Sequence, residues 1–444
     1  MLKKFYFVSV LFIGFCITCL SQNNQGFTFH KPHKKRYKIG FVNYNNLIII
    51  KVKLNNRPMN FLVDTGVDKT VLFGLEGDEE SIKENSTKIL IRGVSGKKKT
   101  YAYKNENNLL EIGKLKDTSH DVYAIFDKDF NISDKIGYQV QGILGYNFFR
   151  DLIVKINYKR DFIKIYNPEN FSKSLRCYES IDLKLYKQKP YLKAQLKQKG
   201  NVRSFMFLLD TGSGDAIWVQ PQPDTRIPEK SFDDILGYGF ADIIRGKRTK
   251  ADGFNLGSYQ LKSPKIAYPD TLAYSGLEFT SKSGVIGSEI MRRFHWVLDY
   301  SNKRVYFKKN NDFSDQFNYD MSGLILKYDG YQIITSYVNV FSRAKAQTDN
   351  SAGYNKIADE PDFYIEKRPI LRVGAVRPNS SAFEAGFVEG DEIVSINSRA
   401  SHKYDLQEIM KIFSSEEGRI INFEIRRGGR LYEKSLRLKS RFLE

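Results

Sequence analysis

The chain has 444 residues, 41% of them hydrophobic, with 32 Phe and 27 Tyr, which is enough apolar material for several folded domains and excludes global disorder. Its 70 Lys and Arg outnumber 51 Asp and Glu, giving a formal charge of +19. The positive residues (Lys97, Lys98, Lys99; Arg245, Lys247, Arg248; Arg426, Arg427) form no single tract, so they read as a solvated basic surface drawn to anionic surfaces, and no nucleic-acid partner is expected. The chain holds five His, no His-Glu-x-x-His, no Gly-x-Ser-x-Gly and no Gly-x-x-x-x-Gly-Lys, so zinc-peptidase, serine-hydrolase and phosphate-loop chemistry lack support, and no metal or cofactor is expected.

The N-terminus reads as an export signal. Lys3 and Lys4 precede an apolar run over 5–20, and Cys19-Leu20-Ser21 offers small residues before a cut at Gln22. The expectation is a signal peptide over 1–21, then a basic linker over 22–38. The mature protein would be periplasmic or secreted, without a stable membrane span. Lipid attachment at Cys16 or Cys19 has weak support, because Phe15 is bulky and the setting of Cys19 is poor. Of three Cys only Cys177 lies outside the signal, so no internal disulfide forms, which suits a bacterial envelope protein.

Comparison of the chain with itself is the most informative step. The run Leu47-Ile-Ile-Ile-Lys-Val-Lys-Leu54, a polar turn at 55–57, and Phe61-Leu62-Val63-Asp64-Thr65-Gly66 recur as Tyr191-Leu-Lys-Ala-Gln-Leu196, a turn at 199–201, and Phe207-Leu208-Leu209-Asp210-Thr211-Gly212. At nearly equal distances stand Ile143-Leu144-Gly145 and Val285-Ile286-Gly287, each with a helical turn and a closing strand pair. One such motif can arise by chance, but an ordered set repeated at nearly equal spacing is strong evidence for duplication.

This pattern resembles the pepsin and retroviral-protease superfamily of aspartic peptidases over about residues 39 to 310. The resemblance implies a mainly β fold, with two retropepsin-like β-barrel halves (39–171 and 178–311) forming one bilobal unit. It also implies catalytic Asp64 and Asp210 meeting at a shared cleft, with a polypeptide substrate. Two adjacent carboxylates cannot both ionise cheaply, so they share one proton: one member activates water, the other polarises the scissile carbonyl. Gly66 and Gly212 let the loop backbone approach the carboxylates, and Thr65 and Thr211 would bond to the opposite loop, as in the family. The copies depart from the pattern unequally. Val67 follows the first motif and offers no hydroxyl, whereas Ser213 follows the second and can bond Asp210; Thr70 stands at the usual hydroxyl position of the first copy, where the second has Ala216. Flap candidates are 91–96 and 236–240, and each reads equally well as an ordinary hairpin turn.

Past residue 310 the order Val373-Gly-Ala-Val376, Pro378, Ala385-Gly386-Phe387 and Gly390-Asp391-Glu392-Ile393-Val394-Ser395-Ile396-Asn397 resembles PDZ domains of bacterial envelope proteases, a small α+β barrel over 318–441. A helix capped by Ser380 or Ser381, a second helix over 406–413 and a closing hairpin around Gly428-Gly429 are predicted. The resemblance implies a carboxylate-binding loop at 322–326 (Gly323, Leu324, Ile325, Leu326), followed by a strand over 331–340 and an insertion at about 342–366. That loop would take peptide C-termini or exposed segments by strand addition; a PDZ domain that only packs against the barrel is the open alternative. For the whole chain the leading expectation is an aspartic-type endopeptidase, and the competitor is a non-catalytic peptide-binding envelope protein on the same scaffold.

Overall fold

The two repeated runs fold as matching hairpins. Strand Leu47–Leu54 pairs antiparallel with Arg57–Val63, and Lys189–Gln198 with Asn201–Leu209. A two-residue type I′ turn needs positive φ at both central residues. Asn55 and Asn56 supply 47° and 67°, and Lys199 and Gly200 supply 49° and 74°. The second strand of each hairpin is exposed at its turn and wholly buried where it approaches Asp64 or Asp210. There it lies between two neighbours, which accounts for its unbroken apolar sequence. Phe61–Val63 runs parallel to Gly142–Leu144, and Met206–Leu209 parallel to Ser283–Ile286. The strand leaving each Asp loop, Thr70–Leu72 or Ile217–Val219, pairs antiparallel with the outer side of Gly142–Leu144 or Ser283–Ile286.

This computed structural model describes residues 26–31, 35–74, 77, 79–92, 99–127, 132–171, 175–221, 227–238, 243–270, 283–337 and 363–442. The expected signal peptide, residues 93–96 and 239–240 of the two flap candidates, and most of the 342–366 insertion lie outside the described residues. The arms that flank both flap candidates are described: Thr87–Arg92 pairs with Lys99–Ile112, and Phe232–Tyr238 with Ile243–Lys250.

The halves are joined by a six-stranded sheet in the order Glu179–Asp182, Arg304–Lys309, Phe294–Asp299, Ile153–Asn157, Phe162–Tyr166, Arg36–Gly40. Its middle pair, Lys155 opposite Val297, crosses from one half to the other. One apolar core runs through both, and Phe149 stacks on Tyr300 with ring centres 5.4 Å apart. Residues 22–38 are more than a basic linker: Phe27 and Phe29 are buried, Thr28–Phe29 pairs with Leu115 and Lys116, and Arg36–Gly40 forms the edge of the joining sheet. Cys177 is exposed and free.

The C-terminal domain has a sheet ordered Leu324–Tyr337, Phe363–Val376, Glu392–Ile396, Ile420–Arg427, Arg430–Arg437. The Ser381–Glu384 helix is capped by Ser380, and the Leu406–Phe413 helix by an Asp405/Glu408 capping box. Two expectations are corrected here. The strand placed at 331–340 begins at Leu324 and continues through a bulge at Gly330 (φ 84°) to Tyr337, the residues past 337 lying outside those described. Leu324, Ile325 and Leu326 therefore belong to a paired strand, because alternate side chains enter the domain core (Leu324 and Leu326 are buried) and Ile325 faces Ala375 across the ladder. The loop proper is Asp320 to Gly323.

Candidate active site

The structure brings Asp64, Thr65 and Gly66 together with Asp210, Thr211 and Gly212. The Thr65 N–H donates to Thr211 Oγ1 and the Thr211 N–H to Thr65 Oγ1, both at 3.0 Å. Each hydroxyl then donates across the junction, Thr65 to the Leu209 carbonyl at 2.5 Å and Thr211 to the Val63 carbonyl at 2.7 Å. Four buried bonds thus cross between the halves at the residue next to each Asp, which fixes the loops relative to one another. Each loop is also held from below. The Asp64 N–H donates to Leu144 and the Asp210 N–H to Ile286, both at 3.0 Å. The Tyr146 N–H reaches the Val67 carbonyl at 3.0 Å, and the Ser288 N–H reaches Ser213 at 2.7 Å.

The glycines are required by close approach. A Cβ on Gly66 would stand 2.8 Å from Asp210 Cγ, and one on Gly212 would stand 2.2 Å from Asp64 Oδ2. Each glycine thus lies against the carboxyl of the opposite half, while its own N–H caps the carboxyl two residues back, at 2.7 Å for Asp64 and 2.9 Å for Asp210.

Asp64 and Asp210 hydrogen-bond to each other, and both titrate above the ordinary carboxylate range. Burial is the main cause for each. For Asp64 the negative charge of Asp210 adds to it and the carboxyl goes well up. For Asp210 the bond from Asp64 and the N–H groups of Gly212 and Ser213 oppose burial. Two buried carboxyls in contact, both pushed upward, hold one proton between them, and the titration belongs to the pair. The bond expected from the Ser213 side chain is made by its backbone N–H.

Several neighbours were not singled out from the sequence. Lys189 sends positive charge toward both carboxyls, and aligning the turns 45–46 and 187–188 sets it opposite Leu47, a signal legible in the repeat. Tyr300 is buried close to the dyad, and its hydroxyl is pushed well up by burial and then by Asp64. Tyr158 meets Ser288 at 3.2 Å, and Ser288 donates to the Thr211 carbonyl at 3.2 Å. Asp215, five residues past Asp210, bonds the Trp218 indole N–H at 2.8 Å and opens an ion chain: Arg248 meets Asp215 at 2.8 Å and Asp234 at 2.5 Å, Arg377 meets Asp234 at 2.7 Å, and Arg377 also pairs with Asp320. Arg248 is buried here, which corrects its reading as solvated surface.

Gly323 lies apart from the dyad, at φ 81°, its Cα facing Ser380 Oγ. The loop before it is closed on itself: Asp320 accepts from the Ser322 N–H at 2.9 Å and the Ser322 hydroxyl at 2.6 Å, while the Leu324 N–H donates to Ser322 Oγ at 3.0 Å. Among the described residues no cluster of His, Cys, Asp and Glu is arranged to hold a metal ion, and no helix is long and apolar enough to cross a membrane.

Paired Asp-Thr-Gly loops crossed through their threonines, each under a hydrophobic-hydrophobic-Gly strand, define a retropepsin-like aspartyl protease fold built twice, with a PDZ domain appended. Among family models, the aspartyl protease family matches residues 50–148, within the first copy, and the PDZ domain matches residues 372–427; the second copy rests on the structure. No curated protein matches the chain.

Proposed function

We propose that the chain is an exported aspartic-type endopeptidase in which Asp64 and Asp210 form one catalytic dyad. The carrying observation is the contact between two carboxyls from crossed loops, both titrating upward. Ionised Asp210 takes a proton from water as the oxygen attacks the peptide carbonyl carbon, and the Asp64 proton goes to the carbonyl oxygen. As the C–N bond of the resulting gem-diol breaks, Asp210 gives its proton to the leaving amine nitrogen and one diol hydroxyl returns a proton to Asp64, which restores the singly protonated dyad. Thr65, Thr211, Gly66, Gly212 and Ser213 hold the carboxyls in place and touch no reacting atom. Export is supported by the basic and apolar N-terminal sequence. The PDZ domain supports an added contact with polypeptide chains.

The test is cleavage of a diverse peptide library between pH 3 and 8 by the chain lacking residues 1–21, beside Asp64→Asn and Asp210→Asn. Cleavage abolished by each substitution is expected. A folded wild type that cleaves nothing at any pH overturns the reading and leaves a peptide-binding protein on this scaffold.

A further inference from the structure

A PDZ domain takes peptides in the groove between its edge strand and its second helix. Here those elements are Leu324–Tyr337, whose outer edge has no strand partner among the described residues, and Leu406–Phe413. The first protease half reaches into this groove. The helix Ser133–Ile136 packs on the edge strand. Gly137 ends that helix at φ 83° against the first residue of the PDZ helix, so close that a Cβ on it would lie 2.4 Å from Leu406 Cδ1. Ile132, Ile136 and Tyr138 pack on the cluster that contains Leu324, Leu326, Leu406 and Ile409. Tyr138 lies against Tyr44 with ring centres 5.5 Å apart, and the Tyr44 hydroxyl accepts from the Gln407 N–H at 3.2 Å. The segment does not form a ladder with the edge strand: it covers apolar groove walls and leaves strand addition unused.

We propose that residues 132–138 act as a built-in latch in the PDZ groove, and that an incoming apolar peptide engages the groove by displacing them. The same segment runs directly into Gln141 and the Gly142–Leu144 strand, whose last carbonyl receives the Asp64 N–H. Its departure frees the chain entering the dyad's support on that side. The second anchor of the PDZ domain, the Arg377–Asp234 ion pair, lies on the other half, so the domain spans both. The link to catalysis rests on the peptidase reading, whereas the seating of the segment does not. This separation lets the test read binding without turnover.

The binding test uses the chain without residues 1–21 carrying Asp64→Asn, so that the probe is not consumed. A fluorescein-labelled heptapeptide ending in three apolar residues with a free carboxylate is titrated by anisotropy against this chain, and against the same chain with Tyr138→Ala or Gly137→Gln. A binding site closed most of the time weakens the apparent Kd by the fraction open. Both latch variants are expected to bind at least tenfold more tightly. Equal affinity in the three chains, or binding by none, overturns the latch. Because Gly137→Gln can disturb the fold, the milder Tyr138→Ala and hydrogen exchange on the chain with the latch intact provide independent readouts. Saturating peptide should raise exchange at 132–142, and unchanged protection there also overturns it. Turnover is measured separately with Asp64 intact: no cleavage from a chain that passes the binding test rejects the peptidase and keeps the latch.

Discussion

Arg248→Met should destabilise the second half, through the charges it leaves behind. Arg248 is buried between Asp215 and Asp234, whose carboxyl side chains are 12% and 0% exposed. Removing one partner of a buried pair costs about 3–5 kcal/mol, because the abandoned charge stays out of water. Asp234 keeps Arg377, and Asp215 keeps the N–H groups of Ala216 and Trp218, so the lower end, about 3 kcal/mol, is expected. Trp218 touches Asp215, and the only other tryptophan, Trp296, is buried in the second half too. Urea denaturation followed by tryptophan fluorescence therefore reports on this region. The pH dependence has a fixed sign. Burial favours a neutral Asp215, but Arg248 and Lys265 outweigh it and hold its carboxyl below the ordinary value. A depressed carboxylate contributes stability that is complete above its unfolded pKa, about 4, and is lost as pH falls through the folded value. The gap between wild type and variant should be full at pH 7 and shrink below about pH 4. Adding Asp215→Asn to Arg248→Met should recover about 1–2 kcal/mol at pH 7, because it removes the stranded charge. A loss under about 1 kcal/mol in the single variant, or no recovery in the double, would refute the argument that this chain is a buried charge-balanced unit.

Three further outcomes are expected at the site. Asp64→Asn should abolish cleavage and raise the thermal midpoint at pH 7: the Asp64 pKa is raised by folding, so its contribution is most favourable below about pH 4 and is lost as pH rises toward the folded value. A midpoint difference that does not narrow on acidification would contradict this. Thr211→Val removes the acceptor for the Thr65 N–H and the donor to Val63, at a cost of about 1–3 kcal/mol by calorimetry, with activity falling as the loops lose register; Thr211→Ser should restore both. Gly212→Ala, whose Cβ falls on Asp64 Oδ2, should eliminate peptide cleavage while far-ultraviolet circular dichroism stays unchanged, whereas Gly200→Ala, at an open turn, should leave cleavage intact.

The parts of this fold that were legible are those carried by local chemistry. Asp-Thr-Gly appears twice after the same apolar lead-in, and the polar pairs at 55–56 and 199–200 mark hairpin turns because both positions need positive φ. The PDZ helix at Leu406–Phe413 was readable from its apolar spacing and Ser380 from its place before a helical turn. What escaped was set by tertiary context. Nothing in 153–157 or 294–299 announces that these strands pair across the halves. The ion chain draws on positions 215, 234, 248, 320 and 377, each an ordinary charged residue until the fold removes it from water. The proposed latch is built on a four-residue helix with no period to detect, and the glycine that ends the helix leaves the space taken by Leu406. The loop at 322–326 resembled a carboxylate cradle by sequence, yet the fold engages two of its N–H groups internally, Ser322 with Asp320 and Leu324 with Ser322.

A duplicated scaffold does not give the two carboxyls identical surroundings, although a shared proton alone already distinguishes the members of a dyad. Each Asp receives an N–H from the glycine two residues on, and each loop is pinned by the same threonine crossing. The difference arises in the residues just past each Asp-Thr-Gly. In the second copy the Ser213 N–H also reaches Asp210, and Asp215 is fixed by Arg248 and the Trp218 indole, so that loop presents an extra donor to the ionised form. In the first copy Val67 is packed in the apolar cluster shared with the PDZ domain, and Asp64 has the Gly66 N–H and a more buried setting. Hydrogen bonds to a carboxylate favour its charged form, and desolvation favours the acid, so the two environments push one proton in the same direction, toward Asp64. On the proposed mechanism the unequal residues after the two motifs favour Asp64 as the acid and Asp210 as the base, and the half bearing Asp64 is the half that contacts the PDZ groove.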